Sequence, residues 1–465
     1  MTDGGRAHPY IPNSVPAIRA EMLAAVGADS VAELYASVPR EFLLKRPLDL
    51  PPPLTDEVSL RRHIDGLLAR NTHTREALSF LGGGCYAVHV PAVVDEITRR
   101  AEFVTAYGGG PYGDHGKYQA IFEFQSLIGE LVGMAAVSAP TYDGITATTS
   151  ALLMAARLTG RSRLLVPSTM NPDGLQHLRT FAKAWATIDV LGRDEATGGV
   201  HPGELQAALA AGDVGAVLLE MPSYLGFVEE RALEIADSVH AAGALLVISI
   251  EPSTLGVLAA PAEYGADIVT GDAQSLGNHP VFGGGQCGFI AHRDDEASAR
   301  ENPAIKISAV PSLDGTQTGY AWALLEATSY DLRGESRDFT GTSQWLWGIG
   351  AAVYLSLLGP AGLRELGEGL LARSAYAIER LAAVPGLRVP AVGRGHVREF
   401  VVRLPDDGPT VAQVNARLRD QGIFGGLDLS ASMPWLGHAA LIAVTEQHTQ
   451  ADIDRFAEAL EAALR

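Results

Sequence analysis

Three short segments of this 465-residue chain carry residue types whose spacing could do chemistry. In Asp338-Phe339-Thr340-Gly341-Thr342-Ser343-Gln344, a Gly-Thr-Ser turn precedes an apolar helical stretch. Free backbone N–H groups and a hydroxyl converge at such a turn and suit an anion, with Thr342 the best placed. The same hydroxyl could equally serve as a plain helix cap. Gly283-Gly284-Gly285 permits close backbone approach to a cofactor, or tight packing between subunits. Tyr86 and His89 follow Gly82-Gly83-Gly84 in a polar loop, where the plain reading is a surface or structural histidine. The two cysteines, Cys85 and Cys287, are too few for a disulfide framework or a metal cluster and read as buried thiols. The chain has four lysines: Lys45, Lys117, Lys183 and Lys306.

The elements that must position these groups follow from periodicity. Ile121, Phe124, Ile128 and Leu131 recur at helical spacing, which predicts a core-facing helix over Gln119–Met134, and Thr146–Leu158 predicts another. Short apolar strands are expected at Leu164–Val166, Thr187–Leu191, Ala216–Leu219, Leu245–Ile250 and Asp267–Val269. Helical stretches such as Glu230–His240 lie between most of them. This alternation builds a mostly parallel sheet covered on both faces, with ligands at the carboxyl ends of its strands. A smaller α+β C-terminal domain is expected after residue 330. It would hold helices Trp345–Leu358 and Leu363–Leu381 about Gly359-Pro360, strands Glu399–Leu404 and Leu441–Val444, and helix Ile453–Leu464. Residues 61–330 form the large domain. Residues 1–60 read as a proline-broken arm with a helix ending at Gly27 and a second over Val31–Ser37. Its apolar residues need a surface, on this chain or a partner, unless it is a flexible tail.

Composition narrows the function classes. The formal charge of −19 argues against nucleic acid and anionic membranes, which call for excess Lys and Arg. No signal pattern opens the chain, and no apolar run approaches the ~20 residues of a spanning helix. A cytoplasmic protein without metal is the expectation.

The stretch Gly265-Ala266-Asp267-Ile268-Val269-Thr270-Gly271-Asp272-Ala273-Gln274-Ser275-Leu276-Gly277-Asn278, followed by Phe282 and Gly288-Phe289, resembles the alpha (N-terminal) subunit of the two-subunit glycine decarboxylase, the P-protein of the glycine cleavage system. Tyr10-Ile11-Pro12-Asn13, Leu48 to Leu54, Ser79 to Gly82 with Gly84 and Tyr86, Gln119 to Gln125, Tyr142-Asp143-Gly144, Leu178-Arg179-Thr180, Arg398 to Pro405 and Val444-Thr445-Glu446 continue the likeness collinearly. The resemblance implies an α/β fold of the fold-type-I, aspartate-aminotransferase-like class of pyridoxal phosphate (PLP) enzymes. In that class a lysine after a late strand holds the cofactor as an imine, and an acid about two dozen residues earlier pairs with the ring nitrogen. Glu251 stands where the acid would be, as a relic or structural acid. Leu276 is expected to occupy the lysine's position, so this chain should supply no Schiff base. PLP is then bound covalently by a homologous, lysine-bearing partner subunit, in a heterodimer or two such pairs. The resemblance further implies that Thr342 reaches the partner's cofactor phosphate, with Gly283 and Gly284 nearby. Tyr86, His89, Tyr142 and Ser275 would line the cleft for a small amino-acid substrate, and a lipoyl carrier protein would dock.

Departures from the family cluster in loops: Gly108 to Gly116, Pro303 to Lys306, Thr316 to Thr328 and Phe339-Thr340-Gly341. Three functions stay open. The chain completes the active site of a glycine decarboxylase-like, aminomethyl-transferring oxidoreductase and is inactive alone. It belongs to a specialised-pathway PLP enzyme that turns an amino-acid carbanion to another reaction. Or it only stabilises or regulates its partner.

Overall fold

The computed structural model describes residues 10–11, 15–104, 115–281, 285–323, 340 and 344–465, and the chain divides into two units, Met1–Asn71 and Thr72–Arg465. The first unit holds helix Pro16–Ala25, the single 3-10 turns Val31–Tyr35 and Arg40–Phe42, and helix Glu57–Leu68, none with a buried residue. Gly27 follows the first helix in the left-handed region, φ 71°. Asp56 caps the last helix by accepting from Ser59 N at 2.7 Å.

The second unit is built on a seven-stranded sheet: β1 (Ala136–Val137), β2 (Arg163–Pro167), β3 (Thr187–Leu191), β4 (Val214–Met221), β5 (Leu245–Ile250), β6 (Ile268–Asp272) and β7 (Gly288–His292). Their order is β1-β7-β6-β5-β4-β2-β3. Strands β2 to β6 pair in parallel, and β7 runs antiparallel to both its neighbours. Both sheet faces are buried, which is why the parallel strands read as continuous apolar runs. Alternate residues leave to opposite faces. Val217 and Leu219 of β4 join one core with Phe124, Ile128 and Ile235, while Ala216 and Leu218 join another with Ala151, Leu152 and Leu178.

A three-stranded antiparallel sheet, β8 (Glu399–Arg403), β9 (Leu427–Asp428) and β10 (Ala439–Ala443), lies in the order β8-β10-β9. Helices Val411–Arg419 and Gln450–Leu464 pack on it through Val414, Leu418, Phe456 and Leu460. Phe80 reaches this core from far earlier in the chain and stacks on Phe456, ring centroids 4.0 Å apart. The expected boundary at residues 330 and 331 lies outside the described residues.

Helix Trp345–Ala382 is long and apolar enough, by length and composition, to cross a membrane. The sequence reading did not anticipate such a span because it broke the run at Gly359-Pro360. Gly359 does leave helical geometry, at φ 59° and ψ −175°, and Trp345, Ile349, Tyr354, Leu370 and Leu381 are buried in the protein's own cores. Pairings missed from sequence are β1, β7, β9, the parallel pair Leu78–Ser79/Ile423–Phe424 and the hairpin Ile307–Pro311/Thr318–Trp322. The two residues of β1 are too few to show periodicity.

Candidate functional site

Strands β4, β5 and β6 are neighbours, and each delivers a carboxylate at its carboxyl end: Glu220, Glu251 and Asp272. These three, with Asp143, Arg398 and Glu399, line a cavity of about 360 Å³. Its remaining wall includes Gly83, Cys85, Tyr86, Asn171, Ser223, Tyr224, Ser249, Thr254, Ser275 and Gln286. The placement is the usual one for an open parallel sheet, outside the carboxyl ends of adjacent strands.

Backbone donors hold the acids in place. Asp272 accepts from Gly144 N at 2.8 Å and from Gln274 N and Cys287 N at 2.9 Å each. Burial still outweighs these bonds and raises its carboxyl to about 6. Among the described residues Glu220 accepts from Tyr224 N at 3.1 Å and Asn171 N at 3.4 Å, and burial pushes it to about 7. Glu399, brought in by β8, accepts from Gly83 N and from the Tyr86 hydroxyl, both at 2.7 Å, and burial likewise raises it to about 7. Gly82 and Gly226 let the chain close round it. A Cβ at either would overlap Glu399, and Gly226 also sits at φ 86°.

Arg398 is the one basic side chain on the wall among the described residues. Its Nη2 donates to Ser253 Oγ at 2.7 Å, its Nε lies 3.4 Å from Glu251 Oε2, and its guanidinium carbon stands 4.6 Å from the Tyr86 ring centroid. Glu251 is further engaged by Ser253 N, by Ser253 Oγ at 2.5 Å and by the Ser275 hydroxyl.

The expected site residues separate into three groups. Tyr86 and Ser275 line the cavity. Gln274 locks the Tyr86 loop to the turn after β6: it accepts from Tyr86 N at 2.9 Å and donates to Tyr86 O at 3.0 Å. His89 and Tyr142 do not line it. Burial alternates along the chain after Tyr86, where Val88 packs inward beside Tyr86 while His89 is exposed, its N–H bonded to Glu446 Oε1 at 2.6 Å. Tyr142 is 40% exposed, between Thr141, whose N–H bonds to Gly288 O, and Asp143, which caps helix Gly144–Thr159. Thr342, Gly283 and Gly284 lie outside the described residues.

Leu276 also requires a correction. Its side chain is fully buried in the core with Ala273, Cys287 and Tyr354, whereas its neighbour Ser275 faces the cavity and bonds to Glu251. The single 3-10 turn Ala273–Ser275 carries successive side chains to different sides, so the residue presented beside Glu251 is Ser275. Of the two thiols, Cys287 is fully buried and Cys85 only partly.

Sequence reasoning missed Glu220, Asp272, Arg398, Glu399 and Ser223 as wall residues. A signal existed for Glu220, an acid closing an apolar strand. Arg398 and Glu399 open a segment that carries the family likeness, but nothing local ties them to the cavity, which they reach across more than a hundred residues of chain.

Comparison with known proteins agrees with this architecture. The "Glycine cleavage system P-protein" family matches residues 8–460. A protein of Aeropyrum pernix named "Probable glycine dehydrogenase (decarboxylating) subunit 1" is 36% identical over 98% of this chain and 99% of its own. One of the same name from Moorella thermoacetica is 38% identical over 98% and 99%. A crystal structure of glycine decarboxylase (P-protein) of the glycine cleavage system, in inhibitor-bound form, superposes with a TM-score of 0.87 at 34% identity, covering 99% of this chain and 100% of that one. A cysteine desulfurase from Thermococcus onnurineus shares the fold alone, with a TM-score of 0.60 at 15% identity. The α/β architecture is that of fold-type-I PLP enzymes, and the chain belongs to the glycine cleavage system P-protein family.

Proposed function

We propose that this chain is the non-Schiff-base subunit of a glycine decarboxylase-like enzyme, completing the active site of a lysine-bearing partner. One observation carries the reading: among the described residues, the cavity at the carboxyl ends of β4, β5 and β6 is lined by no amine. Its lining includes none of the four lysines, and Ser275 stands beside Glu251. Lys306 is buried elsewhere, its Nζ donating to Ala304 O at 3.1 Å and Asn302 O at 3.4 Å. PLP therefore does not fit this cavity as a covalent guest. Five carboxyl groups against one guanidinium also oppose a phosphate there.

PLP belongs on the partner in this reading, and the present chain contributes shape and non-covalent contacts. Thr342, with Gly283 and Gly284, is proposed to face the partner's cofactor phosphate, as the resemblance implies. An arm over 1–60, a large domain over 61–330 and a small one over 331–465 are the division it implies. Docking of a lipoyl carrier and residence in the cytoplasm belong to the same proposal.

Co-expression with a lysine-bearing homologue tests it. A visible imine absorbance and glycine–bicarbonate exchange are expected in the complex and in neither measurement for this chain alone. Borohydride trapping of a stoichiometric pyridoxyl adduct on the isolated chain would overturn it.

A further inference from the structure

The lysine-free cavity is not a collapsed remnant. It retains about 360 Å³, within the range of small-molecule sites, and two of its wall residues, Arg398 and Ser223, hold polar atoms with no hydrogen-bond partner among the described residues. Arg398 is 3% exposed, yet its Nη1 donates to no group among the described residues, and its Nε meets Glu251 only as an ion pair. Ser223, 7% exposed and on the same wall, also has an unpartnered hydroxyl. Buried donors of this kind are costly unless something accepts from them. A guanidinium edge and a hydroxyl together suit a carboxylate.

Opposite in character are the acids. Asp143, Glu220, Glu251, Asp272 and Glu399 face the cavity, and Arg398 is the one described cation among its lining residues. With every carboxyl ionised, which Glu220 and Glu399 reach only above about pH 7, the balance is five negative against one positive, a net of −4. Glu251 and Arg398 offset one another, and three backbone donors serve Asp272. Among the described residues, neither Glu220 nor Glu399 forms an ion pair with a cation. Such a chamber repels anions, attracts cations, and holds one place for a carboxylate.

We propose that the cavity is a binding site for a basic α-amino acid. Its carboxylate would meet Arg398 Nη1 and the Ser223 hydroxyl, and its two ammonium groups would meet the wall carboxylates, Glu220 and Glu399 foremost. Glycine would fill little of the volume and leave the charge imbalance untouched. A ligand with a second cation at the end of a flexible stem addresses both. Its occupancy does not depend on the subunit reading, because it can be measured on this chain alone. Within the pair it would give the non-catalytic half a ligand of its own.

Isothermal titration of the purified full-length chain with lysine, norleucine, glycine and cadaverine tests the proposal. Lysine should bind. Norleucine lacks the second cation and cadaverine the carboxylate, so each should bind roughly tenfold or more weakly, the usual cost of losing one charge-assisted bond. Glu220→Gln and Ser223→Ala, both milder than removing Arg398, should weaken lysine by a similar factor while each variant keeps the far-ultraviolet spectrum of the parent. Affinity for lysine should rise from pH 6 to pH 8. Over that range Glu220, facing Glu399 and Tyr224, loses its proton, as does Glu399, facing Tyr86, Arg398 and Glu251. Absence of lysine binding, cadaverine binding as tightly as lysine, or glycine binding as tightly as lysine would each overturn the assignment.

Discussion

Replacing Glu220 by Gln isolates the energetic consequence of placing an acid at the end of a buried parallel strand. In the folded chain its carboxyl is raised from 4.5 to about 7 by burial, against two modest backbone bonds and with the charge of Glu399 adding to the rise. Between those pH values the folded state binds more protons than the unfolded state. The associated stability is fully present below pH 4.5 and is lost as pH rises through 7. The difference corresponds to about 3 kcal/mol. Glutamine cannot ionise, so the variant escapes this loss, but it gives up one of the two accepted bonds, at a cost of about 1 kcal/mol. Relative to the parent, Glu220→Gln should therefore be about 1 kcal/mol less stable near pH 4.5 and about 2 kcal/mol more stable at pH 8. For the 394 residues of the second unit, a swing of 3 kcal/mol is about 4 °C in Tm. Paired melts of variant and parent at pH 5, 6, 7 and 8 read the swing directly. Pairing matters because His292, His396 and His448, held below the usual imidazole range by burial, push the parent's own pH dependence the other way. A difference that stays flat with pH, or a variant that is the less stable at pH 8, refutes the reasoning.

Three further outcomes are expected. Tyr86→Phe removes the buried hydroxyl that donates to Glu399 at 2.7 Å and should cost about 2 kcal/mol at neutral pH, measured by urea unfolding. The cost should shrink at pH 5, where Glu399 is protonated and needs the donor less. Leu276→Lys buries an ammonium in a sealed core and should abolish soluble expression, whereas Ser275→Lys places its amine in the cavity beside Glu251 and should remain folded; equal damage from both would contradict the orientation of this turn. Phe80→Ala leaves Phe456 and His448 without their stacked partner and opens a fully buried void, costing about 3–5 kcal/mol in the same unfolding assay.

Periodicity in the sequence was enough to place β2 to β6 and the helix Ala232–Ala241 between β4 and β5. A strand buried on both faces is an uninterrupted apolar run, and a covering helix repeats its apolar positions every three or four residues. The break at Gly359-Pro360 was equally plain, since only glycine adopts φ 59° and ψ −175° freely. Family membership was legible because whole segments, not isolated residues, agree in order. What the linear chain could not supply was direction. Side chains at 275 and 276 are neighbours in sequence, yet one meets Glu251 in a cavity and the other is sealed in the core. Val88 and His89 part company in the same way. Nor could local pattern bring Arg398 and Glu399 to the strand ends carrying Glu220, Glu251 and Asp272, since that meeting is made by β8 folding back against the Gly83–Tyr86 loop. Local patterns fix which residues are apolar and at what spacing. The partners of a buried charge are set by packing across long sequence separations, and only the folded chain decides them.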